Sequence, residues 1–337
     1  MSNLYVTLSD EDEIVKFEMD DQSGNLKNPV SFPVSGKPGP LAKHPSGQFI
    51  YTGRRGTNQV SSFSVDPAGK LHQISEIGLE ADPCYMTTDR QGRFLLSSYY
   101  SGGGVSVHRI GDDGAAIEPA VQWVKTGTGA HCIQTDPTNQ FVFVPHIAGA
   151  GPNAIFQFRF DDDEGFLTPN SPFIETPSRQ DGPRHFCFHP ELNILYTSNE
   201  QGCSVTVYEI DLKSGTLNAL QTVPTLPVDY DGDNSCSQIQ ITPSGSFLYA
   251  PNRGHDTIAG FKVDASTGQL TPIGHTPAER VPRAFSIDPQ GRFLYAAGLE
   301  TGRLTSFKIN QQTGELNSFG TYPVGASPMW VLITPIN

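Results

Sequence analysis

"SVTVYEID", residues 204–211, is rich in β-branched and aromatic residues and ends on an acid, as a strand running into a turn does. Six other segments share its pattern: "EIVKFEMD" (13–20), "QVSSFSVD" (59–66), "GVSVHRIG" (104–111), "AIFQFRFD" (154–161), "TIAGFKVD" (257–264) and "RLTSFKIN" (303–310). The spacing between successive members is 45 to 53 residues, and each is followed by a turn glycine: Gly24, Gly69, Gly114, Gly165, Gly215, Gly268 and Gly314. A second series, including "HPSGQFIY", "DPTNQFVF", "HPELNILY", "TPSGSFLY" and "DPQGRFLY", reads as a turn entering another strand. Four short strands per unit, repeated seven times, predict an all-β fold, a seven-bladed β-propeller with four antiparallel strands per blade, as a single domain over residues 1–337. The chain opens on a second strand, "LYVTL", and finishes on a first strand, "SPMWVLITP". Pairing residues near 4–8 with residues near 326–334 closes the seventh blade and removes an exposed edge.

Composition narrows the partners. A formal net charge of -13 argues against general binding to nucleic acid or to anionic membranes, which require a basic face. No stretch approaches the roughly 20 apolar residues of a membrane helix, and the first residues lack a basic segment followed by an apolar run. Five cysteines without CxxC spacing indicate neither a disulfide framework nor a zinc site. A soluble, cytoplasmic chain is expected. Nothing in the sequence sets its oligomeric state.

The propeller register then places side chains. In each blade the first strand runs down the central channel to a turn and the second runs back, so residues opening the first and closing the second share the channel mouth. Counting six positions back from the turn proline or its equivalent gives Gly39, Cys84, His131, Arg184, Ser237, Arg283 and Met329. Counting four positions on from the centre of the second strand gives Ser9, Arg55, Tyr100, Ile147, Glu200, Arg253 and Leu299. His185, Tyr99 and His146 lie one position away and are expected to face the same rim. One arginine at a blade edge ordinarily serves a neighbouring carboxylate or carbonyl. Four arginines around one glutamate leave positive charge that calls for an anion. His44 and His189 precede turn prolines on the opposite face and are expected to be structural, Cys132 and Cys187 to be buried thiols, and the acidic run at 161–165 to be an outer turn without the spacing of a calcium loop.

"GAHCIQTDP", "GPRHFCFHP", "TSNEQGCSVTVYE", "APNRGHDTIAGF", "VPRAFSIDPQGRFLYAAG" and "GASPMW" resemble the matching blades of the bacterial propeller-type 6-phosphogluconolactonases, a family that also includes fungal carboxymuconate-lactonizing enzymes. The resemblance spans essentially the whole chain. It implies a lactone-handling site at the channel mouth with His131, Arg184, Glu200 and Arg253 as its functional residues, and Arg283 matches the "PR" of the lactonases.

Hydrolysing a sugar lactone requires a base to activate water, donors for the developing oxyanion and a proton for the departing ring oxygen. Glu200 is assigned as base and His131 as acid or alternate base, the two roles being interchangeable at this level. Arg184 and Arg253 are assigned to the oxyanion. Arg283, Arg55, His185, His146 and Tyr99 are assigned to binding the substrate, a small anionic sugar lactone such as 6-phospho-D-glucono-1,5-lactone, with no cofactor or metal required. Another aldonolactone, a carboxymuconate-type cycloisomerase closing a lactone, and a non-catalytic propeller scaffold remain open as alternatives. The Trp-Asp dipeptide of scaffold propellers is absent from the sequence.

Overall fold

A computed structural model describes residues 1–177 and 179–335. Its strands form seven antiparallel sheets, each built from consecutive strands except the one that joins the two ends of the chain. Blades 1 to 6 span residues 38–78, 85–125, 134–175, 183–224, 235–277 and 282–323. In blade 7, Ser2–Leu8 pairs with Pro328–Pro335 on one side and with Glu13–Met19 on the other, so the last strand of the chain is the innermost strand of the closing blade. The closure and blade count match the repeat. Among the described residues there is no helix.

The repeat is visible as packing between blades. Phe17, Phe63, Phe158, Tyr208, Phe261 and Phe307 are all buried, each in a cluster with aromatic or aliphatic residues of an adjoining blade. Burying one such ring contributes about 1.5–3 kcal/mol. The same interfaces carry a recurrent polar contact. The hydroxyls of Tyr5, Tyr51, Tyr196, Tyr249 and Tyr295 donate to the carbonyls of Gly69, Gly114, Gly268, Gly314 and Gly24, at 2.6–2.9 Å. Each tyrosine thereby satisfies its buried hydroxyl on the turn glycine of the following blade. Glycine is required at these turns: at Gly114 the φ is +80°, and a Cβ there would come within 2.3 Å of Phe49.

The outer hairpin at 161–165 is solvent-facing as expected, and its carboxylates also reach back, Asp163 to Arg93 at 3.1 Å and Glu164 to Arg109 at 2.9 Å. His189 accepts the backbone N–H groups of Glu191 and Leu192 in its turn, and His44 bonds Gly92 O at 3.0 Å, so both are structural.

Candidate active site

At one mouth of the channel lies a tight pocket of about 10 Å³, to which all seven blades or the segments leading into them contribute. Its walls are Pro40 and Arg55 of blade 1, Cys84, His131, Arg184 with His185, Gln238, Arg283, and Met329 with Trp330 of the closing blade. Strand alternation alone would aim only one of Arg184 and His185 inward. The ladder of blade 4 slips between Pro183 and His185, leaving Arg184 outside the pairing, and this bulge lets both side chains reach the pocket. Blade 6 repeats the device between Pro282 and Ala284, at Arg283.

Glu200, which closes the second strand of blade 4, faces these cations. Its Oε2 lies 2.6 Å from Arg184 Nε and 3.2 Å from an Arg253 terminal nitrogen, whose own hydrogen bond goes to the Cys236 carbonyl at 2.7 Å. Arg55 is paired with Asp82 at 2.7 Å. Arg283 has neither a hydrogen bond nor an ion pair among the described residues, so two carboxylates stand against four guanidiniums. The rings of His131 and His185 meet at 5.1 Å, and Tyr100 is edge-on to His131 at 5.7 Å. Tyr85 and Trp330 pack on each other and on His185, at 5.1–6.1 Å, where His185, Gln238 and Trp330 separate the pocket from a second hollow further along the channel.

What distinguishes this place is unfinished hydrogen bonding. Seven buried polar atoms here lack a hydrogen-bond partner among the described residues: Arg184 Nε and Nη1, Arg253 Nε, Arg55 Nε, His131 Nδ1, His185 Nε2 and Glu200 Oε2. The close Arg184–Glu200 contact is therefore an ion pair without hydrogen-bond alignment. A buried donor left unpaired costs about 1–3 kcal/mol, and a cluster of them marks a cradle completed by a ligand.

Residues 3–333 match the model of the lactonase family of seven-bladed β-propellers. The chain belongs to that family. It is 34% identical to the 6-phosphogluconolactonase of Pectobacterium carotovorum over 99% of both chains, and 34% identical to that of Serratia proteamaculans over 98% of both. Among solved structures, it superposes on the periplasmic gluconolactonase of Pseudomonas aeruginosa with a TM-score of 0.91 at 26% identity, covering 100% of this chain and 99% of that one.

Of the residues selected from this lactonase-family sequence, the structure brings together His131, Arg184, His185, Glu200, Arg253, Arg283 and Arg55. It does not bring Tyr99 and His146 to them. Tyr99 is fully buried between strands, its hydroxyl 2.6 Å from Ser106 Oγ and its ring against Trp123 at 4.9 Å. His146 is also fully buried, its Nδ1 on the Val144 carbonyl at 3.0 Å, its Nε2 on Thr126 Oγ1 at 2.8 Å and its ring 4.5 Å from Phe156. In both second strands alternation holds, so the residue one position from the rim points the other way, and Tyr100 faces the pocket instead of Tyr99. Asp82 was invisible to the register because it sits in the connection between blades 1 and 2.

The electrostatics follow from burial and surplus charge. Burial, then the charges of Arg184 and neighbouring groups including Arg283, hold the His131 imidazole well below its usual range. His185 is held down by burial and then by Arg184, Arg283 and Arg253. Arg184 and Arg283 are themselves destabilised as cations, by burial first and Arg253 next. Two histidines kept neutral in the fold but protonated when unfolded make stability pH-dependent. The unfolded chain takes up those protons below about pH 6.5 and the native chain does not, so stability is full above that pH and is lost as pH falls through it. Each such group costs about 1.4 kcal/mol per pH unit in that window. The urea midpoint should fall from pH 6.5 to pH 5, above the range where most carboxylates titrate, and fall less steeply in His185→Gln. Equal slopes for the two proteins would contradict this account.

Proposed function

We propose that this chain is a lactonase hydrolysing an anionic sugar-acid lactone, 6-phospho-D-glucono-1,5-lactone being the substrate that fits best, in a cytoplasmic setting. The observation that carries the reading is the set of unpartnered guanidinium and imidazole atoms converging beside Glu200 in a pocket with surplus positive charge. The relatives named as 6-phosphogluconolactonases support it.

Glu200 Oε2 is engaged by two guanidiniums while its Oε1 has no hydrogen-bond partner among the described residues, and the side chain keeps 17% of its surface open. Oε1 takes the proton of a water as that water attacks the lactone carbonyl. Charge builds on the carbonyl oxygen, and the unsatisfied N–H groups of Arg184 and Arg253 receive it. Collapse of the tetrahedral intermediate breaks the bond to the ring oxygen, which leaves with a proton relayed through His131. A neutral imidazole is the form that can accept and pass on that proton. Arg283, free of any carboxylate partner, holds the phosphate with Arg55 and His185 near it.

The test is lactone opening measured above the spontaneous background, with phosphorylated and plain gluconolactone. Wild type should accelerate the phosphorylated substrate. In Arg283→Ala the KM for that substrate should rise roughly 10- to 100-fold, the loss of one charge-assisted contact, with kcat and the plain lactone changed little. No excess rate with either lactone in folded wild type would discard the hydrolase reading, and turnover of a muconate in its place would establish a cycloisomerase.

A further inference from the structure

Behind the Glu200–Arg253 pair lie two thiols that the proposed hydrolysis does not use. Cys203 ends the hairpin turn that begins at Glu200, and its φ of 44° is in the left-handed region that a non-glycine residue seldom occupies. Cys236 lies in Ser235–Cys236, the first strand of blade 5. Both converge on one oxygen: the Glu200 carbonyl accepts from Cys236 N at 3.1 Å and lies 3.9 Å from Cys203 Sγ. Thr225 touches both as well, its N–H donating to the Cys203 carbonyl at 2.9 Å and its hydroxyl 3.2 Å from Cys236 Sγ. On the remaining side, Asn234 donates to Cys203 Sγ at 3.3 Å and to Asn252 Oδ1 at 3.1 Å, and that oxygen is 3.7 Å from Cys236 Sγ.

We infer that Cys203 and Cys236 form a reversible dithiol–disulfide couple, a redox modification site oxidised by peroxide. Shared contacts with the Glu200 carbonyl, Thr225 and the Asn234–Asn252 pair bring the two thiols to one place, and the neighbouring Cys236 thiol, with Asn234 and the Arg253 charge, holds the Cys203 thiol below its ordinary range, while Cys236 itself is pushed up. Cys203 is partly exposed and Cys236 fully buried. That asymmetry assigns the order of steps. The Cys203 thiolate attacks one peroxide oxygen, the O–O bond breaks, and hydroxide leaves and is protonated to water, giving a sulfenic acid. Cys236 sulfur then attacks the Cys203 sulfur, the S–O bond breaks, and a second water departs with the Cys236 proton. Two thiols lose two electrons and hydrogen peroxide gains them. The link would tie the turn carrying Glu200 to the strand whose carbonyl holds Arg253.

The test treats the purified full chain with hydrogen peroxide, alkylates, and maps peptides by mass. A Cys203–Cys236 linked peptide, 2 Da lighter than the separate thiols and restored by dithiothreitol, is the expected result, with Cys84, Cys132 and Cys187 alkylated after denaturation. Cys236→Ser should accumulate a dimedone-reactive Cys203, and Cys203→Ser, a near-isosteric change at a partly exposed position checked for folding by circular dichroism, should leave Cys236 a free thiol. Cys203 that stays reduced, or that oxidises fully to sulfinic acid without ever linking to Cys236, overturns the proposal. This readout is independent of lactone turnover, so it stands or falls apart from the proposed activity.

Discussion

Glu200→Gln is expected to lower kcat for lactone opening roughly 100- to 10,000-fold, the span of a lost general base. The substitution keeps the volume and leaves an oxygen for Arg184 and Arg253 to contact, but removes both the proton acceptor and the negative charge that the two guanidiniums share. Removing one partner of a buried ion pair also destabilises the fold, by about 3–5 kcal/mol where the remaining charge stays unsatisfied. Activity is therefore compared at a temperature where circular dichroism shows both proteins folded. Glu200→Asp, which retains charge but withdraws it by one methylene, should recover part of the loss. If Glu200→Gln keeps full activity while His131→Asn abolishes it, the base is His131 and Glu200 only positions the arginines.

The propeller was legible because its evidence is periodic. Any one strand such as "SVTVYEID" is ambiguous, but seven copies, each followed by a turn glycine, five of which accept a tyrosine hydroxyl from the preceding blade, constrain one another. The site was legible to the extent that side chains follow the strand register. Arg184, Glu200, Arg253, Arg283, Arg55 and His131 sit where counting from the turns places them. Counting failed in two ways. Tyr99 and His146 were assigned to the rim by proximity to it, yet unbroken strands send neighbouring residues to opposite faces. His185 breaks that rule in the other direction, because a bulge absorbs Arg184, and nothing in "GPRHF" by itself announces the slip. Asp82 belongs to a connection between blades, which has no register to count. Its pairing with Arg55 lowers the surplus that the sequence implied from three positive charges to two: Arg283 still has no carboxylate, and the whole protein remains acidic around this basic pocket.

That residual imbalance makes Arg184 the most informative position in the pocket. Its side chain is almost completely buried, it carries two unpartnered nitrogens, and its charge ranks directly after burial among the causes depressing His131 and His185. Arg184→Met should lower kcat roughly 100- to 1000-fold, as the loss of one oxyanion donor does. Because Met removes a cation, the His131 and His185 pKa values should rise toward, though not reach, the ordinary imidazole range, burial being unchanged. His131 would then take up its proton at a higher pH, and the acidic limb of the kcat profile should move upward. A purely structural role for Arg184 would lower stability without moving that limb. Arg184→Lys restores charge as a point rather than a planar fork, so it should return the limb to lower pH and recover little of the rate. A Lys variant with wild-type kcat would show that charge alone suffices, and an unmoved limb in an Arg184→Met protein whose kcat has fallen would remove His131 from the proton path.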